Sequence, residues 1–116
     1  MRLNYLIIKV KDLQRAKDFY IQLLQQEPYK EEPNRMVVFK FENIKVGLYN
    51  PLADGCTLDD TDFGTNTIPC FGTDNLKSEL KRVSNFAEIT SQNKVDYHEW
   101  FEFKDSEGNI LEIHKI

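Results

Sequence analysis

Residues 10–24 have the sequence VKDLQRAKDFYIQLL, and this stretch decides the fold predicted for the chain. Asp12 can cap a helix, because its side chain accepts a hydrogen bond from a backbone N–H of the first turn. Apolar residues then recur at helical spacing, which predicts an amphipathic helix over residues 13–25. Pro28 marks the end of this helix. A strand over residues 2–10, apolar on both faces, is predicted to precede it.

The remainder of the first half is predicted to form three short strands, over residues 29–32, 35–41 and 44–49. The dipeptide Glu42-Asn43 suits a tight turn between the last two strands. Residues 51–65 contain a proline, two glycines and several aspartates. This composition is typical of a solvated linker between two modules.

The second half, residues 66–116, repeats the order of the first. The predicted elements are a strand over 67–72, a helix from Leu76 to about Asn85, and strands over 86–90, 98–104 and 110–116. Tyr5 lies seven residues before Asp12, as Ile68 lies seven before Asn75, so the two halves are in register. The 116 residues are therefore predicted to form one α+β domain of two tandem βαβββ modules, residues 1–50 and 66–116.

The composition argues against several classes of partner. Lys and Arg number 15 against 19 Asp and Glu, which gives a net charge of −4. A nucleic acid or an anionic membrane would require a basic face, so neither is expected as a partner. No apolar run reaches the ~18 residues of a spanning helix, and residues 1–12 lack a signal-peptide pattern. We therefore expect a cytoplasmic protein, in which Cys56 and Cys70 are plain thiols.

Two segments resemble the vicinal oxygen chelate superfamily, which contains glyoxalases, bleomycin-resistance proteins and extradiol dioxygenases. Residues 10–24 resemble its opening helix, in which V-x-D-L is followed by F-Y and then L-L. Residues 103–113, FKDSEGNILEI, resemble its closing motif F-x-D-P-x-G-N-x-L-E-I, with Ser106 in place of the usual proline. The resemblance implies a curved mixed sheet around a central cavity, and assembly as a homodimer.

The resemblance also implies four metal-ligand positions, one each on the first, fourth, fifth and eighth strands. Glu112 retains a ligand-type side chain at the eighth-strand position. The other three positions hold Tyr5, Gly47 and Ile68, which are not typical ligands of a divalent ion. We therefore expect that the inherited metal site is lost and that no cofactor is bound, which favours a protein that is not an enzyme.

A rearranged metal site is an alternative that the residues leave open. Glu112 and His114 are two positions apart on a predicted strand, so their side chains point to the same face. His98 lies on the strand that we expect beside it. These three residues have the right chemistry for Zn, Ni, Fe or Mn. In the opposing interpretation, the two histidines are solvated residues near strand ends.

A ligand pocket is predicted where side chains share the cavity face, with the members Tyr5, Tyr49, Ile68, Cys70, Trp100, Glu112 and His114, although the sequence does not fix the face of Trp100. Aromatic and apolar walls around one acid are typical of a small-molecule site. This favours a metal-free protein that binds an aromatic or cationic compound, as in the bleomycin-resistance branch. The alternative is a metal-dependent lyase, isomerase or dioxygenase of the glyoxalase type around Glu112. A third hypothesis is an interaction module with a vestigial cavity, since a fold alone does not decide function.

Overall fold

The computed structural model describes residues 3–59 and 67–116. The chain divides into two compact units, Met1–Phe63 and Gly64–Ile116. Each unit has the element order β-α-β-β-β, so the predicted α+β repeat is confirmed. The predicted linker lies partly outside the described residues, and its first four residues, Pro51–Asp54, form a short 3-10 turn. Neither helix of the described part has the length and apolar character that crossing a bilayer requires.

The first unit is a four-stranded mixed sheet with one helix. Its elements are β1 (Tyr5–Lys9), α1 (Leu13–Leu24), β2 (Lys30–Glu32), β3 (Met36–Lys40) and β4 (Lys45–Tyr49). The strand order is β1-β4-β3-β2, in which β1 runs parallel to β4 and the other neighbours are antiparallel. The first strand starts later than the predicted residue 2, which itself lies outside the described residues.

Helix α1 begins and ends through local hydrogen bonding. The carboxylate of Asp12 accepts a hydrogen bond from the backbone N–H of Arg15 at 3.0 Å, as the predicted cap requires. Gln25 has a left-handed φ of 55° and donates its N–H to the carbonyl of Ile21, which ends the helix one residue before the predicted boundary. The buried face of the helix includes Tyr20, whose ring lies 6.4 Å from that of Phe39 in β3.

The second unit repeats this arrangement. Its elements are β5 (Cys70–Thr73), α2 (Leu76–Val83), β6 (Ile89–Val95), β7 (His98–Lys104) and β8 (Ile110–Lys115). The strand order is β5-β8-β7-β6, and β5 is parallel to β8. Asn75 caps α2 by accepting a hydrogen bond from the backbone N–H of Ser78 at 3.0 Å. The core of this unit consists of apolar residues from α2, β7 and β8, namely Leu76, Val83, Phe101, Phe103, Leu111 and Ile113.

Two predicted strand boundaries in the second unit are wrong. The fifth strand begins at Cys70 instead of residue 67, and Pro69, which has no N–H to donate, directly precedes it. The sixth strand covers Ile89–Val95 instead of residues 86–90. The N–H groups of Phe86 and Ala87 both bond to the carbonyl of Val83, so these residues continue the helix end. The strand Ile89–Val95 was not predicted because it is a polar edge strand, which is stabilised by its pairing with β7.

The turn between β7 and β8 is organised by one buried carboxylate. Oδ1 of Asp105 accepts hydrogen bonds from the backbone N–H groups of Glu107 and Asn109, each at 2.8 Å. Its Oδ2 accepts a third from the side chain of Asn109 at 3.0 Å. Gly108 adopts a φ of 88°, which residues with a Cβ rarely tolerate. These contacts explain the D-x-x-G-N part of the closing motif, because they fix the turn that brings β8 alongside β7.

We expect that Asp105→Ala lowers the free energy of unfolding by about 3 kcal/mol, because two backbone N–H groups lose their acceptor in a buried turn. Chemical denaturation of the purified variant measures this loss. Asp105→Asn retains one acceptor oxygen and should lose less. Asp96→Ala, in the exposed hairpin between β6 and β7, serves as the control and should change stability by under ~0.5 kcal/mol. Equal losses for Asp105→Ala and Asp96→Ala would contradict this account of the turn.

Candidate functional site

The candidate site lies on the face of the second sheet that points away from the core of that unit. Phe101, Phe103, Leu111 and Ile113 are buried on the core side, so the residues that alternate with them point the other way. We call this side the open face, and its members include Cys70 from β5, His98, Trp100 and Glu102 from β7, and Glu112 and His114 from β8.

Strand register brings these side chains together. Cys70 lies directly opposite Glu112 in the parallel pair of β5 and β8. Across the antiparallel pair of β7 and β8, Glu102 lies opposite Glu112, and Trp100 lies opposite His114. Directly opposed residues have neighbouring side chains on the same face. Glu112 therefore stands between a thiol on one side and the polar side chains of β7 on the other.

Glu112 is the centre of the cluster. Its side chain is 15% exposed, and its Oε1 lies 3.6 Å from Nε2 of His98 and 4.0 Å from Nδ1 of His114. The ligand-type atoms of Cys70, Glu112 and His114 all lie within 4.8 Å of one another. The predicted trio of Glu112, His114 and His98 is thus assembled on one face, and Cys70 joins it.

The imidazole of His114 has an unused nitrogen that faces this cluster. Its Nδ1 is buried and has no hydrogen-bond partner, since Glu112 is too distant at 4.0 Å to accept one. Gly72 leaves room beside this ring, because a Cβ there would lie 3.5 Å from Nε2 of His114 and 2.8 Å from Cγ1 of Ile116. A buried polar atom without a partner needs an explanation, and a bound ion or ligand supplies one.

Cys70 is an exposed residue, and partial desolvation together with a neighbouring carboxylate controls the chemistry of its thiol. Desolvation raises the pKa of the thiol first, and a hydrogen bond to Glu112 and the charge of that carboxylate raise it further, to about 12. The protonated thiol therefore donates to Glu112 at neutral pH. Both Cys70 and Cys56 are free, as predicted.

An aromatic wall borders the cluster. The ring of His98 stacks on Trp100 with centroids 4.7 Å apart, and it lies 5.5 Å from the ring of His114. The indole N–H of Trp100 points to Oε1 of Glu102 at 3.4 Å. The structure thus places Trp100 on the open face, which the sequence left undecided. The result is a flat apolar surface next to two carboxylates.

The remaining predicted pocket residues lie elsewhere. Ile68 is 37% exposed and precedes β5, so its predicted position on the fifth strand is wrong. Tyr5 and Tyr49 belong to the first unit. The hydroxyl of Tyr49 donates to Asp54 at 2.6 Å, which gives this tyrosine a structural contact with the 3-10 turn. That these residues share one cavity with Glu112 stays a prediction.

The inherited fourth-strand ligand position, Gly47, does not fit a metal ion. Gly47 lies opposite Ile7 of β1 and Val38 of β3, and none of the three side chains offers a donor atom. A Cβ at Gly47 would lie 3.0 Å from Cδ1 of Ile7, so neighbouring side chains already fill the position. Among the described residues, the only group of three or more His, Cys, Asp or Glu with metal-ligand spacing is Cys70, Glu112 and His114.

Sequence reasoning placed Cys70 in a ligand pocket but did not identify it as a neighbour of Glu112. The two residues are 42 positions apart in the sequence (112 minus 70). The register of two parallel strands cannot be deduced from the sequence of either strand alone. The available signal was the alternation of Glu112 with His114, together with the expected pairing of the fifth and eighth strands.

Neither a model of a known protein family nor a characterised protein sequence matches the chain. Solved structures do match. A lactoylglutathione lyase from Agrobacterium tumefaciens is 18% identical, with a TM-score of 0.77 over 97% of this chain and 92% of that one. A glyoxalase-related enzyme from Fulvimarina pelagi is 11% identical, with a TM-score of 0.80 over 100% and 88%.

A glyoxalase/bleomycin resistance protein from Catenulispora acidiphila is 14% identical, with a TM-score of 0.74 over 100% of this chain and 99% of that one. The chain therefore has the fold of the vicinal oxygen chelate superfamily, as its two motifs predicted. Identities this low establish the fold, whereas activity depends on the residues of the site.

We expect the thiol of Cys70 to react slowly with iodoacetamide in the presence of a chelator. With a pKa of about 12, roughly one thiol in 10,000 is ionised at pH 8, and the thiolate is the reactive form. The rate in a Cys56→Ser background should be roughly 50-fold below that of a thiol with an ordinary pKa. Cys70→Ser, which retains the exposed Cys56, is the comparison.

Adding Glu112→Gln to the Cys56→Ser background removes a negative charge that raises the pKa of Cys70, so alkylation should become faster. Mass spectrometry of quenched time points measures both rates. An unchanged rate would show that Glu112 does not control the thiol.

Proposed function

We propose that this chain is a metal-dependent protein of the glyoxalase and bleomycin-resistance class, which holds a divalent ion at Glu112, His98 and His114. One observation carries this proposal: two imidazole nitrogens from different strands lie 3.6 Å and 4.0 Å from the same carboxylate oxygen. The contacts favour the rearranged metal site over the metal-free pocket as the leading hypothesis.

The spacing of these atoms suits an ion. Bonds of 2.0–2.1 Å to a tetrahedral zinc ion place neighbouring ligand atoms roughly 3.3 Å apart. The observed separations from Glu112 exceed this by less than about 1 Å, whereas the rings of His98 and His114 lie 5.5 Å apart, so the His98 side chain must rotate toward the ion. The backbone that carries these side chains is a hydrogen-bonded sheet, so the ligands stand on a rigid support.

The charge at the site also supports an ion. Glu112 is largely buried, and its basic neighbours within the described residues are two imidazoles. A buried carboxylate needs a positive partner, because an isolated charge in a low-dielectric site is costly. A divalent ion supplies that charge and uses the unpartnered Nδ1 of His114 as well.

A bound divalent ion supplies Lewis-acid chemistry, polarising the oxygens of a small organic substrate. The residues of this chain then bind and orient that substrate. The stacked rings of Trp100 and His98 provide a flat surface for its carbon skeleton, and the carboxylate of Glu102 lies beside them. The class of reaction that we propose is that of a lyase, isomerase or dioxygenase of the glyoxalase type, carried out by a homodimer in the cytoplasm.

The second candidate function is metal-free binding of an aromatic or cationic compound. The stacked pair of Trp100 and His98 beside Glu102 and Glu112 favours it, because an aromatic cation can stack on the indole while a carboxylate meets its charge. In this case Glu112 would bind the ligand directly, and no ion would be required.

We expect the protein, purified without a chelator or a His-tag and dialysed against Zn²⁺, Ni²⁺, Fe²⁺ or Mn²⁺ in turn, to retain about one equivalent of at least one ion per chain. Elemental analysis measures the content. Glu112→Gln should weaken binding at least about 100-fold, since it replaces the central carboxylate. Glu99→Gln, on the same strand as His98 but on its opposite face, is the matched control. Failure of the native chain to bind any of the four ions would refute the proposal.

The fluorescence of Trp100 distinguishes the two candidate functions, because it is the single tryptophan of the chain. If an ion binds beside His98, Ni²⁺ should quench the emission and saturate at one equivalent, and Glu112→Gln should abolish the response. If the site instead takes aromatic cations, benzyltrimethylammonium should change the emission of the chelator-treated protein. A protein that responds to neither probe would favour the interaction module.

A further inference from the structure

We infer that Cys70 is a fourth ligand of the proposed metal site, and that its thiolate makes the site select Zn²⁺ and Co²⁺ over Mn²⁺ and Mg²⁺. This inference rests on the proposed function and adds a fifth-strand residue that the sequence did not identify as a metal ligand. It names the chemical class of ion that the open face would take.

The position of Cys70 is fixed by the backbone. The residue lies opposite Glu112 in the parallel ladder of β5 and β8, and the N–H of Glu112 bonds to the carbonyl of Pro69 at 2.9 Å. The sulfur is therefore held beside the carboxylate without help from a loop. Its distances to the ligand atoms of Glu112 and His114 are within 4.8 Å.

The thiol already points into the cluster. It lies on the same face as Glu112, directly opposite that residue in the parallel pair. When an ion binds, the thiol proton leaves to solvent and the sulfur, as thiolate, bonds to the ion in its place. His114 offers its unpartnered Nδ1 to the same ion, so no existing hydrogen bond of that nitrogen must break.

His98 completes a set of four. It does not belong to the group of three within 4.8 Å, yet its Nε2 lies 3.6 Å from Oε1 of Glu112, nearer than Nδ1 of His114 at 4.0 Å. Cys70, Glu112 and His114 are already grouped, and rotation of the His98 side chain toward them would complete the four ligands that zinc commonly takes.

The presence of sulfur decides which ions are favoured. Thiolate is a soft ligand that suits zinc and other later transition metals, whereas Mn²⁺ and Mg²⁺ prefer carboxylate, carbonyl and water oxygens. A site of Glu112 and two histidines alone would already bind Mn²⁺ more weakly than the later divalent metals, and a thiolate widens this difference. Cys70 shifts the preference of the site toward zinc and cobalt.

Cobalt titration tests the inference directly, because a thiolate bonded to Co²⁺ produces a charge-transfer band in the near ultraviolet that nitrogen and oxygen ligands do not. We expect this band for the native chain and for Cys56→Ser, whose altered thiol lies in the first unit. Cys70→Ser should still bind cobalt, seen in the visible d–d bands, but without the charge-transfer band.

The outcomes separate the two proposals. A native chain that binds cobalt without the charge-transfer band, or a Cys70→Ser variant that keeps it, would overturn the role of Cys70 and leave the proposed function standing. A native chain that binds no cobalt by either band would overturn the role of Cys70, and retention of none of Zn²⁺, Ni²⁺, Fe²⁺ and Mn²⁺ would overturn the proposed function as well. Circular dichroism of Cys70→Ser establishes that the variant is folded.

Ion competition provides a second test. Cys70→Ser should weaken Zn²⁺ binding by about 100-fold and change Mn²⁺ binding by much less, because only zinc gains substantially from the thiolate. Cys70→Asp, which supplies a hard oxygen ligand at the same place, should move the preference toward Mn²⁺. Equal losses of both ions in Cys70→Ser would contradict the assigned role in selectivity.

Discussion

The pairing of β8 with its two neighbours is the constraint on which the site depends. Because β8 is parallel to β5 and antiparallel to β7, one face of β8 receives Cys70 from one side and the side chains of β7 from the other. Glu112 lies at the centre of this arrangement. The opposite face of the same strands buries Leu111 and Ile113, so the register cannot slip by one residue without exposing the core.

The two units share a topology but not a chemistry. In the first unit, the parallel pair of β1 and β4 places Ile7 opposite Gly47, and neither residue has a donor side chain. In the second unit, the parallel pair of β5 and β8 places Cys70 opposite Glu112. The repeat therefore preserves the scaffold, which depends on burial, while the ligand-type side chains are concentrated on one sheet.

The carboxylate of Glu112 connects the electrostatics of the whole cluster. It accepts a hydrogen bond from the thiol of Cys70 and lies near two imidazoles, one of which has a buried nitrogen without a partner. Such a group of mutually dependent polar side chains is stable only when its members are satisfied together. Loss of the carboxylate would remove the acceptor of the thiol and the shared neighbour of both histidines.

The two βαβββ modules, the capped helices and the closing turn could be predicted from the amino-acid sequence, because caps, helical periodicity and the D-x-x-G-N turn act through neighbours in the chain. The sequence also placed Glu112, His114 and His98 on adjoining strands. It missed the polar strand Ile89–Val95, whose pairing with β7 supplies what its own pattern lacks. Only the tertiary structure decided that Cys70 contacts Glu112 and that Trp100 faces His98, since the offset between paired strands is set by backbone hydrogen bonds over long sequence separations.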